Sequence, residues 1–115
     1  MKIVIYQKPT CTTCRQVYSA LKESGIDFTD VNYFLEPFTK SKLKDLLSKM
    51  GMRVQDLIRK NEDIYKKLEL ADKDLSENQW LDLLVQYPDL IQRPIVENGP
   101  KAVLARPAER VKEII

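Results

Sequence analysis

The 115-residue chain contains no histidine, only two cysteines, three glycines and one tryptophan, and its 19 basic and 17 acidic residues leave a net charge of +2. Each shortage excludes something. Without an imidazole there is no Cys-His protease and no nucleophile activated by a histidine base. Two possible Cys or His ligands fall short of the four that a zinc site usually takes, so no metal is expected. A charge this small sets up no field that would argue for nucleic acid as the partner, and any anion site must be local. The apolar runs are too short to span a bilayer, and the start MKIVIYQKP enters a strand pattern without an apolar leader, so the expected location is the cytoplasm. Length and a 43% hydrophobic content suit one globular domain over residues 1–115, read as a monomer with a single core. In a reducing compartment two cysteines placed three apart argue for redox or catalytic chemistry rather than a structural cross-link.

What is present reads as an alternation of strands and helices. Ile3 to Tyr6 is a β-rich run ended by Lys8-Pro9-Thr10, and Cys14, Val17, Tyr18 and Leu21 then recur at helical spacing. Gly25 closes that helix, and Ile26 to Phe34 predicts a second strand, parallel to the first through a right-handed crossover. Leu43, Leu46, Leu47 and Met50 mark a second amphipathic helix closed by Gly51. Residues 52–73 predict short helical pieces, with Leu57, Ile58, Ile64 and Leu68 as buried candidates. Ser76 and Gln79 form a capping box, flanked by a Leu75–Trp80 staple, for a helix that presents Trp80, Leu83, Leu84 and Tyr87 and ends near Pro88. Pro94 to Glu97, a turn at Asn98-Gly99-Pro100 and Lys101 to Ala105 predict an antiparallel hairpin, and Pro107 opens a terminal helix carrying Val111, Ile114 and Ile115. The fold class is therefore α/β: a thioredoxin-like, four-stranded mixed sheet with a helical insertion between the second and third strands. Arg93-Pro94 falls where such folds place a cis-proline.

Cys11-Thr12-Thr13-Cys14 sits at the junction of the first loop and the first helix, where unpaired N–H groups and the positive end of the helix dipole favour an anion. The anion would be the Cys11 thiolate, because helix N-termini and nearby arginines can lower a cysteine pKa from about 8.5 to roughly 3.5–7.5. One helical turn holds positions 11 and 14 about 5 Å apart at Cα, within disulfide range. Cys14 could thus be a resolving thiol, or simply a small apolar residue on the inner face of the helix.

Four blocks, Tyr6-Gln7-Lys8-Pro9-Thr10-Cys11, Leu57-Ile58-Arg59-Lys60-Asn61, Arg93-Pro94-Ile95-Val96 and Arg106-Pro107, occur in an order that resembles the glutaredoxin-coupled arsenate reductase (ArsC) family and its Spx-type regulator branch. The resemblance implies that Cys11 attacks arsenate or a similar oxyanion held by Arg59, Arg93 and Arg106, and Arg15, directly after the cysteine pair, is a further substrate-binding candidate. Planar guanidinium groups suit a tetrahedral dianion because they bind its oxygens bidentately and stay charged. It also implies no bound cofactor, with glutathione and glutaredoxin, or thioredoxin, as reductant. Well-studied members of the family carry Ser where this chain has Cys14 and His where it has Gln7; the first difference supplies an internal resolving thiol. The alternative is an Spx-like redox sensor that binds the RNA polymerase α subunit, a branch that uses C-x-x-C but tends to lack the Arg106-Pro107 block.

Overall fold

Strand β1, Ile3–Gln7, is the axis of the sheet in the computed structural model, which describes residues 2–115. Strand β2, Phe28–Asn32, runs parallel to it, with Ile3 opposite Phe28 and Gln7 opposite Asn32. On its other side β3, Ile95–Asn98, is antiparallel, with Tyr6 opposite Ile95, and β4, Lys101–Leu104, closes the hairpin. The order β2-β1-β3-β4 is the expected four-stranded mixed sheet. Alternation along β1 turns Ile3 and Ile5 toward helix α1, Thr12–Glu23, where they pack with Val17 and Leu21, and with Val96, Val103, Ala105 and Val111. Tyr6, on the opposite face, donates its hydroxyl hydrogen to Glu97 Oε1 at 2.9 Å, which satisfies a buried carboxylate inside the sheet.

Two sequence expectations need adjusting here. The second strand is shorter than Ile26–Phe34, because Asn32 turns the chain: its carbonyl accepts the N–H groups of Leu35 and Glu36, and its Oδ1 accepts that of Phe34 at 3.0 Å. The terminal segment is a 3₁₀ helix, Ala108–Glu113, closed by i to i+3 bonds such as Arg110 N–H to the Pro107 carbonyl at 3.0 Å. Asn98 reaches the Ile114 carbonyl from β3 and fixes the end of that segment. Helix α1 stops as expected, with Gly25 in the left-handed conformation at φ +70°, which a side chain would resist.

The chain divides into two compact units, residues 1–36 with 93–115, and residues 37–92. The second is helical. Helix α2, Lys40–Met50, starts at Thr39, whose hydroxyl accepts the Lys42 N–H at 3.0 Å; it buries Leu43, Leu46 and Leu47 and ends on Gly51 at φ +64°. After a 3₁₀ turn, Val54–Leu57, the short helix α3, Asp63–Lys67, buries no residue, so Ile64 and Leu68 are half-buried where burial was expected, while Leu57 and Ile58 are in the core. Helix α4, Glu77–Gln86, has the predicted capping box in both directions, Gln79 N–H to Ser76 Oγ at 3.2 Å and Ser76 N–H to Gln79 Oε1 at 2.9 Å. Its buried face is Trp80, Leu81 and Leu84; Leu83 and Tyr87 lie at the margin, one step round the helix from the expected stripe. Among the described residues no helix is long and apolar enough to cross a membrane.

Candidate active site

The loop after β1 turns back on itself at the first cysteine. The Cys11 N–H donates to the Lys8 carbonyl at 3.0 Å, and the Cys11 carbonyl accepts the Arg15 N–H at 3.1 Å, which starts the helix. Cys11 is the N-cap of α1, extended at φ −82° and ψ 127°, and its Sγ accepts the Cys14 N–H at 3.3 Å. An N-cap side chain normally offers oxygen to the orphan N–H groups of the first turn; here sulfur takes that place. Cys11 is half-buried, Cys14 is fully enclosed, and both are free thiols.

These surroundings push the two sulfurs in opposite directions. Partial burial acts to raise the Cys11 pKa, but hydrogen bonds from the Cys14 thiol and backbone N–H, together with the charges of Arg93 and Arg106, outweigh it and hold Cys11 below the ordinary thiol value. Cys14 is pushed up to about 12 by burial, by donating its proton to Cys11 and by the negative charge forming there; a Lys8 backbone bond and Arg93 oppose this only in part. The two sulfurs are thereby set apart, Cys11 the more readily ionised of the pair and Cys14 the one that keeps its proton.

Arg93 and Arg106 come from the two ends of the β3–β4 hairpin. Each precedes a cis proline; the Arg93-Pro94 bond matches the sequence expectation, and the Arg106-Pro107 bond is an addition to it. Arg106 Nη1 donates to the Arg93 carbonyl at 3.0 Å, and the Ala105 N–H donates to the Pro94 carbonyl at 2.9 Å, so the two loops are tied together. Arg93 is only 5% exposed. Its Nη1 points at the Tyr33 hydroxyl at 3.5 Å, and its guanidinium lies 5.8 Å from the centre of the Phe34 ring. Arg15 is exposed in the first turn of α1, and the arginine charges acting on Cys11 are those of Arg93 and Arg106. Arg59 belongs to the helical unit, where its Nε donates to Glu62 Oε1 at 2.8 Å and its backbone N–H to the Leu90 carbonyl at 2.7 Å.

Sequence reasoning missed the surroundings of Arg93. Tyr33 and Phe34 were expected in a strand, whereas they leave the ladder and meet the arginine; the signal was available in Asn32, a residue type that favours turns. Gln7, at the end of β1, is buried, and its amide donates to Asp30 on the neighbouring strand.

Comparison with known proteins gives the relationship. The sequence profile of the ArsC family matches residues 6–114. The chain is 40% identical to the uncharacterized protein YfgD of Escherichia coli K12, over 99% of this chain and 97% of that one. It is 37% identical to an arsenate reductase of the same organism, over 98% of this chain and 80% of that protein. A solved arsenate reductase from Vibrio cholerae superposes with a TM-score of 0.95 at 34% identity, covering 100% of this chain and 98% of the other, so the four-stranded thioredoxin-like architecture is shared throughout. Motif order, fold and full-length similarity agree: the chain belongs to the ArsC family.

Proposed function

We propose that this protein is a thiol oxidoreductase that reduces arsenate to arsenite through the Cys11 thiolate, with residues 1–115 acting as one domain in the cytoplasm. The observation that carries the reading is a half-buried sulfur at a helix N-terminus, hydrogen-bonded by Cys14 and made easier to ionise by the charges of two arginines. Relatives that bear the name arsenate reductase support the choice of oxyanion. Arg93 and Arg106 would hold the oxyanion oxygens; Arg15 is a further candidate by its position in the first turn of α1, and Arg59 by the family pattern alone.

The chemistry balances in two steps. Cys11 sulfur attacks arsenic, an As–S bond forms, and an As–O bond breaks with the oxygen leaving as water after protonation. A second thiolate then attacks the Cys11 sulfur; an S–S bond forms and the As–S electron pair stays on arsenic. Arsenic is thereby reduced by two electrons to arsenite, while two thiols become a disulfide. Cys14 or glutathione can supply the second thiol, and glutaredoxin or thioredoxin, with glutathione, would restore the reduced state. Once Cys11 carries arsenic, the negative charge and sulfur acceptor that hold the proton on Cys14 are gone, so the resolving thiol ionises more readily at the moment it is needed. Because Cys14 is enclosed, an external thiol meets Cys11.

Purified protein given arsenate and either a glutathione–glutaredoxin or a thioredoxin recycling system should release arsenite. Mass spectrometry of the alkylated product then separates a Cys11–Cys14 disulfide from a glutathione adduct. Arsenate left unconsumed under every such system would end this reading.

A further inference from the structure

The turn that follows β2 faces Arg93, one of the two arginines whose charge acts on Cys11. Asn32 fixes its backbone through three hydrogen bonds, to Phe34, Leu35 and Glu36. Tyr33 is fully enclosed and stacks on Phe34, with ring centroids 5.1 Å apart and a tilt of 35°. Phe34 is only half-buried, so neither core packing nor the hydrophobic effect alone explains its placement. Two cations use its ring: Lys8 Nζ lies 4.6 Å and the Arg93 guanidinium 5.8 Å from its centre. Both distances lie within the range, about 6 Å, over which a ring quadrupole attracts a cation. Lys8 is also the residue whose carbonyl accepts the Cys11 N–H.

We infer that Phe34 is a positioning residue for the reactive centre: its ring holds the Arg93 guanidinium in place next to Cys11 and, through Lys8, ties the β2 turn to the cysteine loop. A shared aromatic ring attracts the like charges of Lys8 and Arg93 from one place without adding a negative charge of its own. A carboxylate in that role would pair with the guanidinium and cancel the charge an anionic sulfur or oxyanion needs. The charges that act on Cys11 are those of Arg93 and Arg106, so a change at Phe34 that displaces the Arg93 guanidinium reaches the sulfur.

The inference rests on Cys11 being the thiolate but needs no arsenate. The test follows the rate of Cys11 alkylation against pH, with the labelled peptide identified by mass spectrometry. Phe34→Leu should raise the alkylation midpoint, by less than removal of the Arg93 charge does, while Phe34→Tyr, which keeps the ring, keeps the wild-type value. In an Arg93→Met background, Phe34→Leu should produce no further shift. An unchanged midpoint in Phe34→Leu, an equal shift in Phe34→Tyr, or a full shift surviving without Arg93 would overturn it. Phe34→Met serves as a second truncation should the leucine variant fold poorly. A wild-type midpoint no lower than that of a free thiol would instead count against the thiolate reading itself, so the two failures are distinguishable.

Discussion

Two helices in this protein begin with the same geometry and use it for different ends. At α4 the Ser76 hydroxyl accepts the N–H of the residue three positions on, and Gln79 returns the bond to the Ser76 N–H. At α1 the Cys11 sulfur accepts the N–H of the residue three positions on, and that residue is Cys14, whose thiol donates to the cap where the Gln79 side chain accepts from it. Oxygen at the first position gives a stable start to a helix. Sulfur at the same position gives an acid whose conjugate base the helix stabilises, because the orphan N–H groups that need an acceptor are also what a thiolate needs as donors. Charge completes the difference: Arg93 and Arg106 act on Cys11, whereas Ser76 is exposed.

Converting one cap into the other is the most damaging experiment. Cys11→Ser should lower arsenite formation by at least about a thousandfold, since the nucleophile is gone, while thermal stability is kept because serine is itself a good cap. A variant that loses activity only together with its fold would undo the comparison. Removing the charges comes next: Arg93→Met should lower arsenate turnover by roughly a hundredfold and move the Cys11 alkylation midpoint up by about one unit. Measuring both in one preparation shows whether the arginine acts on sulfur and oxyanion alike.

Cys14 gives a smaller effect with a definite sign. Its thiol pKa is raised on folding, so the folded state keeps a proton that the unfolded state releases; that stabilisation is complete below the ordinary thiol pKa and is lost as pH rises from there toward about 12. Cys11 shifts oppositely, and its contribution is present above the ordinary thiol pKa and lost as pH falls through the lowered value. Resistance to denaturant should therefore fall above about pH 9, and Cys14→Ser should flatten that alkaline decline; an equally steep decline in the variant would contradict the assignment. The smallest change belongs to the other helix. Ser76→Ala should cost about 1 kcal/mol in unfolding free energy and leave the Cys11 midpoint where it is.

Features with local causes were legible in the sequence. Ser76 to Gln79, Gly25, Gly51, the spacing Leu43, Leu46, Leu47 and the cysteine pair at a strand-to-helix junction each involve residues within one or two turns, so pattern alone carries them. The parallel first pair and the antiparallel hairpin were legible from the sequence of elements and the short turn, whereas the antiparallel pairing of β1 with β3 comes from the structure. What pattern could not supply depends on residues far apart in the chain. Tyr6 meets Glu97 across the sheet and Tyr33 meets Arg93 across sixty positions, and no local periodicity announces either. Arg59 and Glu62 are an intermediate case: their i, i+3 spacing could have suggested the ion pair, but a reading centred on oxyanion binding passed over it. The face of α4 was misjudged because Leu81 and Leu83 are equally apolar, and only tertiary packing chooses between them.

The bond from the Arg106 side chain to the main-chain oxygen of Arg93 has a consequence for how this protein can change. One cation is moored to the backbone that carries the other, so a shift of the Arg93 main chain is passed to the Arg106 guanidinium. Lysine at position 106 would keep the charge with a single nitrogen, whereas the planar fork of arginine can hold the Arg93 carbonyl with one nitrogen and leave the others for the proposed oxyanion. A lineage that drifted away from this oxyanion would be expected to lose both residues in concert, and a designer wishing to retune it should exchange them as a pair.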